Sequence, residues 1–290
     1  MTYTLIESFQ DLEYLDKELQ SKDVLGIDTE FQRRSKEDLI LSLLQVKEED
    51  ETYLIDCLQI KESSEICNFL SSNKVTKVFH SFKEDVDAIN SWSKNKVKNI
   101  FDTQIAYAFL GKEFSIAYKD LVLNMLEVEV QKKETRSNWM RRPLSSSQLD
   151  YAASDVEFLL EIFSLQKEML TKGNKYNQFI EEIDFQLDLQ NKGYEDEQKN
   201  GFPNRNPITI SKQEEKMFLK KLQESVLDIS LKKEINKTLL FSKANQKRFF
   251  KLALVNGTDN ALNSLPKWRR DLFSDLIKTS MALYKKLFAH

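Results

Sequence analysis

Apolar residues recur along the first half of the chain in two rhythms. Short runs rich in Val, Ile, Leu and aromatics occupy 24–31, 39–46, 52–55 and 76–80, and these predict strands. The first three are joined by short polar connections, 32–38 and 47–51, which suit an antiparallel meander rather than crossovers. Helical periodicity marks 62–70, 82–92, 103–110, 118–126 and a long run from 146 to about 171. Strands mixed with helices predict an α/β domain, a mixed sheet flanked by helices. The charged stretch YEDEQKNGFPNRNP over 194–207 carries Gly201, Pro203 and Pro207, has no periodicity, and reads as a linker. Only helical runs follow it. The expected organisation is therefore an α/β domain over 1–193, a linker over 194–207 and a small all-α domain over 208–290.

Three places break this pattern with acid. In VLGIDTEF, side chains alternate between faces, so Asp28 and Glu30 share one face with Gly26 while Leu25, Ile27, Thr29 and Phe31 take the other. In HSFKEDVDAINSW, Ser81 and Glu84 read as a capping box. At about 100° per residue, Asp85 then falls inside the arc of Phe82, Val86 and Ile89, with Glu84 and Asp87 turned to solvent. In PLSSSQLDYAASDVEFLLEIF, Ser145 and Gln148 read as another capping box. There Tyr151 and Asp155, four apart, border the apolar stripe of Ala152, Ala153, Val156 and Leu159, while Asp150, Glu157 and Glu161 face away.

A lone ionised carboxylate turned inward costs several kcal/mol or takes up a proton. Four of them, Asp28, Glu30, Asp85 and Asp155, come without matching inward Lys or Arg, which points to bound cations. Oxygen-only ligands suit Mg²⁺ or Mn²⁺ rather than zinc. Paired hard cations held by carboxylates serve phosphodiester cleavage, one activating a water and the other stabilising the leaving oxygen.

Composition adds bounds. The chain has 290 residues, 41% hydrophobic and 31% charged, and contains no run of eighteen apolar residues and no basic-then-apolar leader. Cys57 and Cys67 have neither CxxC spacing nor a His nearby, so they are expected to be reduced thiols, and the protein to be cytoplasmic. The net charge of −3 hides an asymmetry. From Asn206 onward there are 17 Lys and Arg against 8 Asp and Glu, an excess of nine positive charges, whereas the remainder is acidic. A basic module beside an acidic one fits a polyanion partner.

These residues, in this order, resemble the DEDD superfamily of 3′–5′ exonucleases. The resemblance rests on Asp-X-Glu in DTEF, the Asp of HSFKEDVDAI and Tyr-X3-Asp in YAASD, the tyrosine marking the tyrosine branch. Within that branch the chain is most similar to the ribonuclease D family, through FDTQIAYAFLG and the run TRSNWMRRPL before YAASDV as well. The resemblance implies a ribonuclease H-like fold, two divalent ions (Mg²⁺ or Mn²⁺) and release of 5′-mononucleotides from an RNA 3′ end, tRNA precursors included. By position it implies that Asp28 bridges both ions, that Glu30, Asp85 and Asp155 complete their shells, and that Tyr151 aligns the attacking water. The basic tail resembles, more loosely, the helicase-and-RNase-D C-terminal (HRDC) domain.

Further expectations concern the RNA strand. Thr29 and Phe31 flank the acids, His80 ends the fourth strand, and Arg136, Trp139, Arg141 and Arg142 precede the last motif; contact with RNA is expected there. In the tail, Lys267, Arg269 and Arg270 around Trp268 are expected to track the RNA backbone. Gln45, polar and late in a strand, is expected to orient a motif side chain. Asp102 is read as a helix N-cap rather than a ligand. No membrane and no obligate protein partner are expected. Two other readings remain open: the same chemistry on DNA 3′ ends, or a non-catalytic RNA-binding scaffold.

Overall fold

The computed structural model describes residues 2–35, 38–60, 66–93, 95–130, 137–192 and 210–287. They fall into two compact units, one of residues 1–106 with 115–173 and one of residues 107–114 with 174–290.

The first unit is built on a six-stranded mixed sheet in the order β1-β4-β3-β2-β5-β6. The expected meander forms its centre: β2 (Val24–Arg33), β3 (Leu39–Glu48) and β4 (Glu51–Asp56) pair antiparallel. β5 (Thr76–Phe79) adds in parallel beside β2. Two strands go beyond the sequence reading, β1 (Thr4–Ile6) beside β4 and β6 (Ile100–Asp102) beside β5. Each has three residues, too few to show an alternation. Helices cover both faces, so β3 is buried from Leu41 through Val46. They are α1 (Phe9–Leu19), which the sequence reading missed, α2 (Asn68–Ser71), α3 (Lys83–Trp92), α4 (Thr103–Phe109, which runs on into the second unit), α5 (Tyr118–Leu126), α6 (Ser146–Val156) and α7 (Leu159–Lys172). Of the expected helix 62–70, residues 62–65 lie outside the described residues.

The single long helix expected over 146–171 is two. The Phe158 N–H leaves the helical ladder and donates to the Tyr118 hydroxyl at 3.0 Å, and Phe158 itself is non-helical. This break separates α6, which packs on β2, β3 and β4, from α7, which packs on β2 and β5. At the crossing, a Cβ on Gly26 would stand 3.2 Å from Leu159, so a glycine is what lets α7 approach β2.

The second unit contains α8 (Tyr176–Lys192), α9 (Lys212–Lys233), α10 (Lys237–Phe241), α11 (Lys243–Asn256), α12 (Thr258–Asn263) and α13 (Lys267–Leu287). The expected linker 194–207 lies outside the described residues. Helix α8, assigned from sequence to the first domain, groups with the C-terminal helices, because a composition shift marks a change of solvation and not a packing boundary. Its Glu182, 2% exposed, accepts hydrogen bonds from the Trp268 indole at 2.9 Å and from Arg269 Nη2 at 2.8 Å, while Gln186 donates to its other oxygen. Arg269 also donates to the Leu239 carbonyl. Trp268 and Arg269 therefore form a buried joint, correcting the expectation that they meet RNA. Lys267 pairs with Asp271, and Arg270 with Asn263. In the same unit Phe109 packs on Trp268 and Phe179. Gly111 takes φ +78° with the Glu234 carbonyl 2.8 Å from where its Cβ would be, a place for glycine alone.

Glu182→Ala leaves a guanidinium and an indole N–H buried without their acceptor, and should cost about 3–5 kcal/mol. Urea unfolding followed by far-UV circular dichroism checks this, Glu182→Gln losing less because it keeps an acceptor.

Candidate metal-dependent active site

The site begins where β2 outruns its parallel neighbour. β5 pairs with β2 only from Val24 to Gly26, so from Ile27 onward that edge of β2 is open to the segment that leaves β5. The chain turns at Ser81, in the left-handed region at φ +70°, and enters α3 there. The expected Ser81–Glu84 capping box is absent. Asp102 caps the helix instead, its Oδ2 accepting the Phe82 N–H at 2.7 Å while its Oδ1 caps α4 through Ile105 at 2.8 Å. One buried carboxylate thus fixes the starts of two helices, as the N-cap reading of Asp102 anticipated in part.

Asp85, in the first turn of α3, is 8% exposed and accepts a hydrogen bond from the Thr29 hydroxyl at 2.5 Å. On the other side, α6 begins with the expected capping box of Ser145 and Gln148. Its Ala152 and Ala153 are fully buried, which lets the helix lie close on the sheet. Its Tyr151 is close enough to Asp155 for that charge to act on the phenol, and its ring lies 6.1 Å from Trp139.

The acids act on one another electrostatically. Burial pushes the half-buried Asp28 carboxyl well above its ordinary value, and the charges of Asp85, Asp155 and Glu30 add to this. Glu30 is pushed up to about 8 by burial, then by Asp155 and Asp85. Asp85 is raised to about 7 by burial, against the pull of the Thr29 hydrogen bond. The Tyr151 phenol is raised by burial and by the charges of Asp155 and Glu30, so it stays protonated at neutral pH. Tyr118, which the sequence reading missed, belongs to this neighbourhood: burial raises its phenol, and Asp155 and Asp28 add to it. Its only sequence signal is its place at the start of α5.

The donor set fits hard cations. Four carboxylates share the region, and the basic residues of the adjoining strands are committed elsewhere, Arg33 to Asp87 at 3.3 Å and Lys47 to Glu157 at 3.5 Å. Among the described residues no three His, Cys, Asp or Glu side chains already converge as an ion site.

The expected RNA contacts divide. Thr29 is buried and its hydroxyl is committed to Asp85. His80 has Nδ1 2.9 Å from the Thr103 hydroxyl and Nε2 2.9 Å from the Ile116 carbonyl, so both ring nitrogens are used within the fold. Trp139 is buried in a core cluster with Leu43, Leu54 and Ala152, which removes it as a stacking platform. Arg142 is spent on Asp56, at 2.5 and 2.8 Å, and on the Ser42 and Trp139 carbonyls. Phe31, past the irregularity after Glu30, is half-buried beneath the Arg33 guanidinium, and Arg141 is exposed. Arg136 lies outside the described residues.

A family model described as 3′–5′ exonuclease matches residues 3–171, more than half of the chain. The chain belongs to this 3′–5′ exonuclease family. Curated relatives within reach of its sequence include ribonuclease D of Pseudomonas paraeruginosa, 34% identical over 147 residues, which are 51% of this chain and 39% of that protein. Ribonuclease D of Haemophilus influenzae is 37% identical over 153 residues, 53% of this chain and 38% of that protein. The matched stretch thus spans about two fifths of these relatives' length. Among solved structures, Escherichia coli RNase D, described as an exoribonuclease involved in structured RNA processing, superposes with a TM-score of 0.64 at 22% identity, covering 100% of this chain and 76% of that one. Brucella melitensis NrnC with bound Mg²⁺ gives 0.55 at 19% identity, over 73% of this chain and 100% of that one. These likenesses establish the family's ribonuclease H-like exonuclease fold, with helices following it.

The raised acids make a pH prediction. A carboxyl whose folded pKa lies above its unfolded value holds a proton that the unfolded chain has released, so stability falls as pH rises between the two values. For Glu30 that window runs from 4.5 to about 8. The thermal midpoint of the metal-free protein should therefore decline across this window relative to that of Glu30→Gln, which lacks the ionisation. Parallel profiles would show that Glu30 is not held protonated in the folded chain.

Proposed function

We propose that this chain is a 3′–5′ exoribonuclease in which Asp28, Glu30, Asp85 and Asp155 hold two divalent cations, Mg²⁺ or Mn²⁺. The observation that carries it is the set of acids from β2, α3 and α6 whose charges act together on Asp28 and Glu30, in a chain that belongs to the 3′–5′ exonuclease family. When bound, the cations supply positive charge to the attacking and leaving oxygens of a phosphodiester undergoing in-line displacement. Asp28, on which the other three acids all act, would be the ligand shared by the cations. Thr29 holds Asp85 in place, and Asp102 holds the helix that carries it. Tyr151, protonated and under the influence of the Asp155 charge, is suited to orienting a water by hydrogen bonding and unsuited to acting as a base.

RNA as substrate is favoured by the ribonuclease D relatives, and a divalent cation by the Mg²⁺ seen in NrnC. Precursor tRNAs and other structured RNAs are the proposed targets, in keeping with the description of the Escherichia coli enzyme. Phe31 and Arg141 are the proposed contacts to the terminal nucleotides. The helices after residue 208 are proposed as an HRDC-like grip on RNA. There α11 has Lys243, Lys247 and Lys251 exposed at four-residue spacing on a helix without a single carboxylate, a row suited to phosphates. The buried, free Cys57 and Cys67 fit a reducing cytoplasm. Among the described residues no helix is long and apolar enough to cross a membrane.

Matched RNA and DNA oligomers labelled at the 5′ end, incubated with Mg²⁺ or Mn²⁺, test this reading. RNA should shorten stepwise from its 3′ end, faster than DNA. Asp28→Asn and Asp155→Asn should each lose about 10²–10³-fold or more in kcat while still binding RNA. Faster loss of DNA would change the substrate, and undiminished cleavage by both variants would refute the assignment of the acids.

A further inference from the structure

A buried side-chain amide with neither end bonded is rare, because the water contacts it gave up are not replaced. Gln45 on β3 is such a residue. It is fully buried, and neither its Oε1 nor its Nε2 has a hydrogen-bond partner. Other buried glutamines behave differently. Gln166 and Gln246 leave only Oε1 unbonded and anchor Nε2 on the carbonyls of Thr103 and Phe241. Packing alone gives no reason for an amide at this position, since Leu43, Leu44 and Val46 around it are buried without that cost.

Its place in the sheet supplies a reason. Gln45 stands directly opposite Asp28 in the β2–β3 ladder, and opposed residues project from the same face with Cβ atoms about 4.5–5.5 Å apart. On its other side lies Leu54 of β4, and α6, which carries Tyr151 and Asp155, packs over these three strands. The amide is thus enclosed between Asp28 and the helix that closes the site, within reach of the Asp28 carboxylate. A carboxylate shared by two cations must keep one rotamer, and groups that hydrogen-bond a ligand are what fix it.

We propose that Gln45 is a positioning residue for Asp28, its Nε2–H group donating to the Asp28 carboxylate as that side chain turns to ligate cations. This rests on the reading of the four acids as cation ligands. Gln45 touches neither RNA nor the reacting atoms in this role.

The test uses the full chain with Gln45→Met, which keeps length without hydrogen bonding, and Gln45→Leu as a second variant should the first not fold. Mn²⁺ affinity is read from the electron paramagnetic resonance of free Mn²⁺, alongside the thermal midpoint of the metal-free protein. Mn²⁺ affinity should weaken about 10–100-fold, with the metal-free midpoint unchanged or raised because an unbonded amide has gone. Saturating Mn²⁺ should restore much of the rate without altering the KM for RNA. Wild-type Mn²⁺ affinity in a folded variant would overturn the proposal. Asp28→Asn is the control. If it loses Mn²⁺ while the Gln45 variants do not, Gln45 alone is misassigned; if it too keeps wild-type affinity, the reading of the acids fails.

Discussion

Placing buried acids from three separate elements near one another is the constraint that the rest of the first unit has to meet. Asp28 is pushed up by its own burial and then by Asp85, Asp155 and Glu30, acids that arrive from three separate elements. Elements carrying like charges do not gather unless something else holds them. Here β2 must continue past the end of β5, α3 must start at that opening, and α6 must close over the meander. Each requirement is met by contacts among residues that do not themselves belong to the cluster.

Those contacts are short-range and polar. Asp102 caps α3 and α4 with its two oxygens, so the start of the helix bearing Asp85 is tied to the strand edge. Burial pushes the Asp56 carboxyl up, but the Arg142 guanidinium outweighs it and holds the group below its ordinary value. The same guanidinium grips the Ser42 and Trp139 carbonyls, which clamps the segment leading into α6 onto β3 and β4. The helix break at Phe158 then allows α6 to serve the acids while α7 turns back over Gly26. Among the described residues, Arg142 serves as a clamp, and Arg33 and Lys47 pair with the outer acids Asp87 and Glu157.

How far this was legible in the sequence depends on the range of each signal. The three central strands, the inward turn of Asp85 and the Ser145–Gln148 cap are set by period and by residues three or four apart, and they could be read directly. The cap of α3 could not, since Asp102 reaches it from twenty residues away while the local pair Ser81–Glu84 imitated a capping box. Residue type also misled where both roles use the same chemistry. Trp139, Arg142, Trp268 and Arg269 look like RNA-binding side chains, yet each is consumed within the fold by partners distant in sequence. Tyr118 gave almost no signal because its role depends on meeting Phe158 and the acids in space. Gln45 was noticed as a polar residue in a strand, but its unbonded amide is visible only once the sheet and α6 are assembled.

These acids are held in a state that bound divalent cations would relieve. Titrating the metal-free protein with Mn²⁺ by calorimetry near pH 7, in two buffers of different ionisation heat, measures the protons released per ion bound. With Glu30 at about 8 and Asp85 at about 7 before binding, on the order of one proton or more should be expelled as the ions enter. Binding without proton release, or no binding at all, would contradict the account.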